Sequence, residues 1–142
     1  MTSRTIKSLD QIKNTEGRVY VRWSKSIALD NKRGYSLRSG TSREAGLSAC
    51  EIGKDWDDQR ILRQIAEYSF VGTSCWIVTG DEIGRGGDNE PLLTNVEVIG
   101  KVNDKMLKDA EIALLRSYIN NPYTYPSQRR MFEDALAKLI AG

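Results

Sequence analysis

The sequence contains no histidine, and only two cysteines and three prolines among its 142 residues. Without histidine the Ser/His and Cys/His nucleophile pairs cannot form, and neither can a Cys/His zinc site. Two thiols alone do not complete a tetrahedral shell, so no metal site is expected. Cys50 and Cys75 each lie in an apolar segment, GLSACEI and SCWIV, which predicts buried free thiols. Long apolar runs are also missing: none approaches the ~20 residues that cross a bilayer, and the opening MTSRTIKSLDQIK lacks the apolar centre of a secretory signal. A cytoplasmic protein with no membrane partner is expected. Charge of one sign is scarce as well, since 21 basic groups face 19 acidic ones for a net +2. That balance does not mark a nucleic-acid binder by bulk electrostatics, and any basic patch must be local. Chemistry, if there is any, has to run on carboxylates, arginines, hydroxyls or the backbone.

What is present describes a packed protein. Hydrophobic residues make up 39% and charged residues 28%, the balance of an ordinary globular chain, and the length predicts one domain over residues 1–142. Ser8 with Gln11 three residues on is a capping-box pattern for a short first helix. RVYVRWS alternates Val19, Val21 and Trp23 with Tyr20 and Arg22, the period of a strand on which Tyr20 and Arg22 share a face. GLSACEI predicts a second strand, and Asp57 or Asp58 can cap a helix through QRILRQIAEYSF. CWIVTG reads as a central strand covered on both sides, and NVEVIGKV alternates again. Asn103 can cap a helix through DKMLKDAEIALLRSYI, and Ser127 a last one carrying the stripe Phe132, Leu136, Leu139 and Ile140. This order predicts an α+β fold: a small mixed or antiparallel sheet with helices packed on it, two of them C-terminal. The apolar stripes of those two helices fit either the core or a homo-oligomer interface. Tyr118, Tyr123 and Tyr125 are expected to pack between them, with Arg129 and Arg130 on the solvated face.

Two irregular stretches, residues 24–45 and 80–95, each follow a strand directly, and loops of that length in a compact domain are where function concentrates. In GRGGDNEPLL the residues Gly84, Gly86 and Gly87 can turn successive N–H groups into an anion nest beside Arg85. Asp88, Asn89 and Glu90 follow, and Pro91 forces Glu90 into an extended conformation and a fixed direction. The plainer alternative is a glycine-rich turn in which Asp88 and Asn89 bond their own backbone. The first stretch supplies the complementary charge: Arg22, Lys25, Lys32, Arg33, Arg38 and Arg43 face only Asp30 and Glu44, with Trp23 and Tyr35 interleaved. Arginine with aromatics can hold phosphates and stack a base, whereas a solvated basic loop is the plainer alternative.

The combination RVYVRWS, GLSACEI and WIVTGDEIGRGGDNEPLLTNVEVIGKV resembles an uncharacterised bacterial family, mainly actinobacterial, in which a YVRWS strand, a GLS segment and a GRGPDNEPLV loop recur in this order. The likeness spans roughly residues 18–102, departs at Gly87 where the family pattern has proline, and implies no established activity. A second likeness is to small ADP-ribosyltransferases, in which a strand arginine contacts the dinucleotide phosphate, a serine supports the nicotinamide side, and a late glutamate holds the ribose. Arg22, Ser48 and Glu90 stand in that order, although Ser48 lacks the flanking Thr and Ser of many such enzymes and the usual paired glutamate is absent. This likeness implies Glu90, Arg22 and Ser48 as catalytic residues and NAD as the cofactor. Arg85, Gly86, Gly87, Asp88, Asn89, Trp23 and Tyr20 complete the candidate ligand-binding set. The reading is a nucleotide- or dinucleotide-binding protein with ADP-ribosyltransferase-like chemistry as one form of it. Its rivals are a non-enzymatic protein or nucleic-acid interaction module, and a defence or counter-defence protein that sequesters a nucleotide signal.

Overall fold

The computed structural model describes residues 4–25, 47–69, 74–85 and 89–142. Its sheet is mixed, in the order β1-β6-β5-β2-β4 with β3 also on β6, where β1 is Arg4–Ile6, β2 Val19–Trp23, β3 Leu47–Ser48, β4 Cys50–Ile52, β5 Cys75–Arg85 and β6 Pro91–Val102. β1 runs parallel to β6, and the remaining pairs are antiparallel. The expected α+β architecture is what the chain adopts, with the helices α1 (Leu9–Lys13), α2 (Asp58–Ala66), α3 (Asp104–Asn120) and α4 (Pro126–Ala141), the last two C-terminal.

The period-two pattern of β2 divides its residues between two cores. Val19 and Val21 join Ile52, Cys75, Ile77 and Val102 against Ile12 of α1, Ile61 and Ile65 of α2 and Met106 and Ala110 of α3. Tyr20 faces the other way, into a smaller cluster with Leu47, Ala49, Val78 and Leu93. A sheet with apolar residues on both sides must cover both. Helices cover the first side, and curling of the sheet covers the second.

Residues 47–52 produce the curl. Leu47 and Ser48 pair with Leu93 and Leu92 of β6, whereas Cys50, Glu51 and Ile52 pair with Val21, Tyr20 and Val19 of β2. One short segment therefore fastens both sides of a half-barrel, changing partner at Ala49, whose N–H donates to the carbonyl of Pro91 at 3.1 Å.

Several local expectations are met atom by atom. The N–H of Ser8 bonds the Gln11 carboxamide oxygen at 3.2 Å, the Asp57 carboxylate accepts from the N–H of Arg60, and the Asn103 side chain accepts from the N–H of Met106. Others need correction. The described part of the stretch 80–95 is mostly strand and not irregular loop: β5 continues to Arg85 and β6 starts at Pro91, and the two pair as an antiparallel hairpin. Register shifts at Ile77/Val78, Thr79/Asp81 and Glu82/Gly84 accommodate the polar and glycine residues that mask the alternation. At Gly80 a Cβ would lie 3.1 Å from the Thr94 carbonyl oxygen, so the residue permits close strand approach. The last helix begins at Pro126 with Tyr125 at its N-cap, not at Ser127, since proline suits a helix's first position. Tyr118 does pack on Phe132, ring centroids 4.9 Å apart, but Tyr123 and Tyr125 are 88% and 70% exposed. Arg129 lies inward, its guanidinium donating to the carbonyls of Ile119, Asn121 and Thr124 at the turn between α3 and α4. Of the 24–45 stretch, residues 26–45 lie outside the described residues. No described helix is long and apolar enough to cross a membrane.

Candidate functional site

Arg22 stands near the end of β2, Ser48 ends β3, and Glu90 immediately precedes β6. The fold connects all three. The Arg22 Nη1 donates to the Ser48 carbonyl at 2.9 Å, and the Ser48 hydroxyl donates to Glu90 Oε2 at 2.9 Å. Each link has a local cause: the alternation of RVYVRW puts Arg22 on the side of Tyr20, and the bond from the Ala49 N–H to the Pro91 carbonyl brings Glu90, the residue before Pro91, beside Ser48. The Ser48 hydroxyl thus orients the Glu90 carboxylate.

Arg85 bonds the residue just before Glu90. Its Nε lies 2.9 Å from Glu82 Oε1 and its Nη1 donates to the Asn89 carbonyl at 3.1 Å. Asn89 takes a left-handed conformation, φ 61°, which asparagine tolerates better than other non-glycine residues. The guanidinium thus braces the two strands of the hairpin across its tip. Glu82 extends the brace, because its Oε2 also lies 3.8 Å from Arg18 Nη1. That role of Glu82 left no trace in the residue pattern, since it depends on Arg18, which is far off in the chain and is brought near only by the fold.

The other candidates fall elsewhere. Trp23 points to the helical side, where its indole N–H donates to the Ile65 carbonyl at 2.7 Å, anchoring β2 to α2. Tyr20 is 1% exposed and lies beneath a separate open cleft of about 580 Å³ lined also by Glu16, Arg18, Asp81, Glu82 and Glu97. Burial, reinforced by Glu51, raises its phenol pKa against the opposing hydrogen bond from Arg18. Gly86, Gly87 and Asp88, the centre of the expected anion nest, lie outside the described residues, as do Lys32, Arg33, Tyr35, Arg38 and Arg43. Among the described residues no group of three or more Cys, Asp or Glu is placed to hold a metal ion.

Cys50 borders the Ser48–Glu90 pair. Burial first, then the carboxylates of Glu67 and Glu90, push its thiol from 9.0 up to about 11. Burial alone raises Cys75 further still. Thiols whose folded pKa is raised stay neutral in the fold while the unfolded chain ionises, so they contribute stability in full below about 9, and it is lost as pH rises from there toward 11. The urea midpoint should therefore fall over that range. At pH 9 iodoacetamide should modify Cys50 and Cys75 at least roughly 10-fold more slowly in the native protein than in urea, because the thiolate is the reactive form. Equal labelling rates would contradict the assignment.

No curated protein and no solved structure matches the chain. A family profile does, over residues 1–122, a longer span than the strand motifs alone cover and one that ends before α4. On that match the chain belongs to DUF6098, a family of unknown function.

Proposed function

We propose that the protein binds a phosphate-bearing nucleotide or dinucleotide at the Arg22–Ser48–Glu90 cluster, and that Glu90 acts on the ribose in an ADP-ribosyltransferase-like reaction. One observation carries the reading: Ser48 joins an arginine on one side to a glutamate on the other through two bonds of 2.9 Å. A carboxylate held in a fixed direction is what a cationic ribose-like transition state requires, and arginine matches phosphate geometry. In that reaction the glycosidic C–N bond breaks with its electron pair leaving on nicotinamide. The acceptor's nucleophile then bonds to the same ribose carbon and loses its proton, while Glu90 offsets the positive charge in between.

A second reading rests on Arg85. Its bonds to Glu82 and the Asn89 carbonyl fix the end of β5 to the residue that leads into β6, which favours a non-enzymatic interaction module binding a protein or nucleic acid there.

Thermal unfolding with NAD, ADP-ribose, mononucleotides and short RNA and DNA separates the two. A ligand bound only by the native state at 100 times its dissociation constant stabilises by about 2.7 kcal/mol, a rise of several degrees. The rise should appear with NAD or ADP-ribose and shrink in Arg22→Ala. No shift with any nucleotide would reject the nucleotide reading and leave the interaction module.

A further inference from the structure

We infer that the pocket between α2 and α3 is a binding site for a small ligand in which an aromatic ring carries an anionic group. This site is separate from the Arg22–Ser48–Glu90 cluster and does not depend on its function.

The pocket is an open one of about 280 Å³, lined by the basic Arg60 and Arg63, the acidic Glu67, Gln64, and the apolar or aromatic Trp56, Leu114 and Tyr118. Its size lies just below the ~300–1,000 Å³ of drug-sized sites, which suits one ring with a substituent. Local structure explains how it is built. Asp57 caps α2, so Arg60 and Arg63 fall one turn apart on the same side of the helix. Trp56 lies ahead of the helix against Gly53, where a Cβ would overlap the indole. The Arg60 guanidinium sits 3.9 Å above the centre of that ring, a cation–π contact that holds it in place while leaving its N–H donors available.

The charge at this pocket is unbalanced. Among the described residues neither Arg60 nor Arg63 forms an ion pair. Glu67, the carboxylate in the pocket lining, accepts from the Gln64 amide at 2.8 Å. Two guanidiniums facing one carboxylate favour an anion. Leu114 and the half-exposed Tyr118, itself packed at a tilt on Phe132 of α4, provide an apolar wall for a flat ring. A simple inorganic anion would use the arginines and waste that wall, whereas a neutral ring would leave the arginines unused. The ligand that uses both is an aryl phosphate or aryl carboxylate, free or as a phosphotyrosine side chain.

Calorimetric titration of the full chain tests this with phenyl phosphate, inorganic phosphate and a short phosphotyrosine peptide. Phenyl phosphate is expected to bind at least 10-fold more tightly than inorganic phosphate. Arg63→Ala should weaken it at least 10-fold, Arg63→Lys by less, while Arg130→Ala on α4 leaves it unchanged. A peptide that binds more tightly than phenyl phosphate identifies a protein source, and one that binds no better identifies a free small molecule. Melting temperatures of the variants verify folding, and Arg63→Lys serves if Arg63→Ala does not fold. The inference is overturned by no binding of phenyl phosphate, by equal binding of inorganic phosphate, or by an affinity that Arg63→Ala leaves unchanged.

Discussion

Glu90→Gln is expected to leave nucleotide binding intact while lowering turnover roughly 100- to 1,000-fold, the loss seen when one preorganised charge-stabilising group is removed from an active site. The substitution preserves shape, and the Ser48 hydroxyl that donates to Glu90 Oε2 at 2.9 Å can donate equally to an amide oxygen. What disappears is the negative charge. The structural cost is the difference between a charged and a neutral hydrogen bond, about 1 kcal/mol, so the protein should still fold. Release of nicotinamide from NAD, with water or a protein as acceptor, is the readout, alongside the ligand-induced melting shift. If Glu90→Gln turns over NAD as fast as the parent chain, Glu90 has no role at the reacting carbon. If its melting temperature collapses, Glu90 acts as a structural tie between β3 and β6. Ser48→Ala separates these further, since it removes the orienting donor and keeps the carboxylate.

The second large effect is on stability. Ile77→Ala should cost about 2–5 kcal/mol, the range for removing a fully buried branched side chain. Ile77 has no exposed surface and lies between Val21 of β2 and Gly100 of β6, in the cluster that also receives Ile61, Ile65 and Met106 from the helices. Cross-strand partners on both sides and helices above leave little room for the site to collapse into the cavity. Ile140→Ala is the matched control: the same side chain, 53% exposed on α4, should change stability by less than about 0.5 kcal/mol. Urea unfolding of both variants measures the contrast, and a loss at Ile77 no larger than at Ile140 would mean that the two-sided sheet is not the core.

How much of this was legible depended on the range of the determining contact. The division of β2 into two sides could be read from RVYVRW because it is a local alternation, and the caps at Asp57 and Asn103 because they act over three residues. Arg22, Ser48 and Glu90 were chosen for their order and chemistry, and the fold joins them. The hairpin of β5 and β6 was hidden because Gly80, Asp81, Glu82 and Gly84 interrupt the apolar period, and its register shifts are set by the partner strand. β1 was invisible: three residues carry no period, and their partners Gly100, Lys101 and Val102 are far along the chain. The splitting of GLSACEI into two strands likewise has its cause in β6 and β2. The pocket over α2 did leave a signal, Trp56, Arg60 and Arg63 at helical spacing, which reads as an amphipathic edge until Tyr118 arrives from α3.

β6 is the last strand to be synthesised, yet β1, β3 and β5 all hydrogen-bond to it. Until it leaves the ribosome, the nascent chain presents three strands whose common partner does not exist. The half-barrel therefore cannot assemble progressively from its N-terminal side, and during translation the edges of β1 and β5 remain open to chaperones or to other chains.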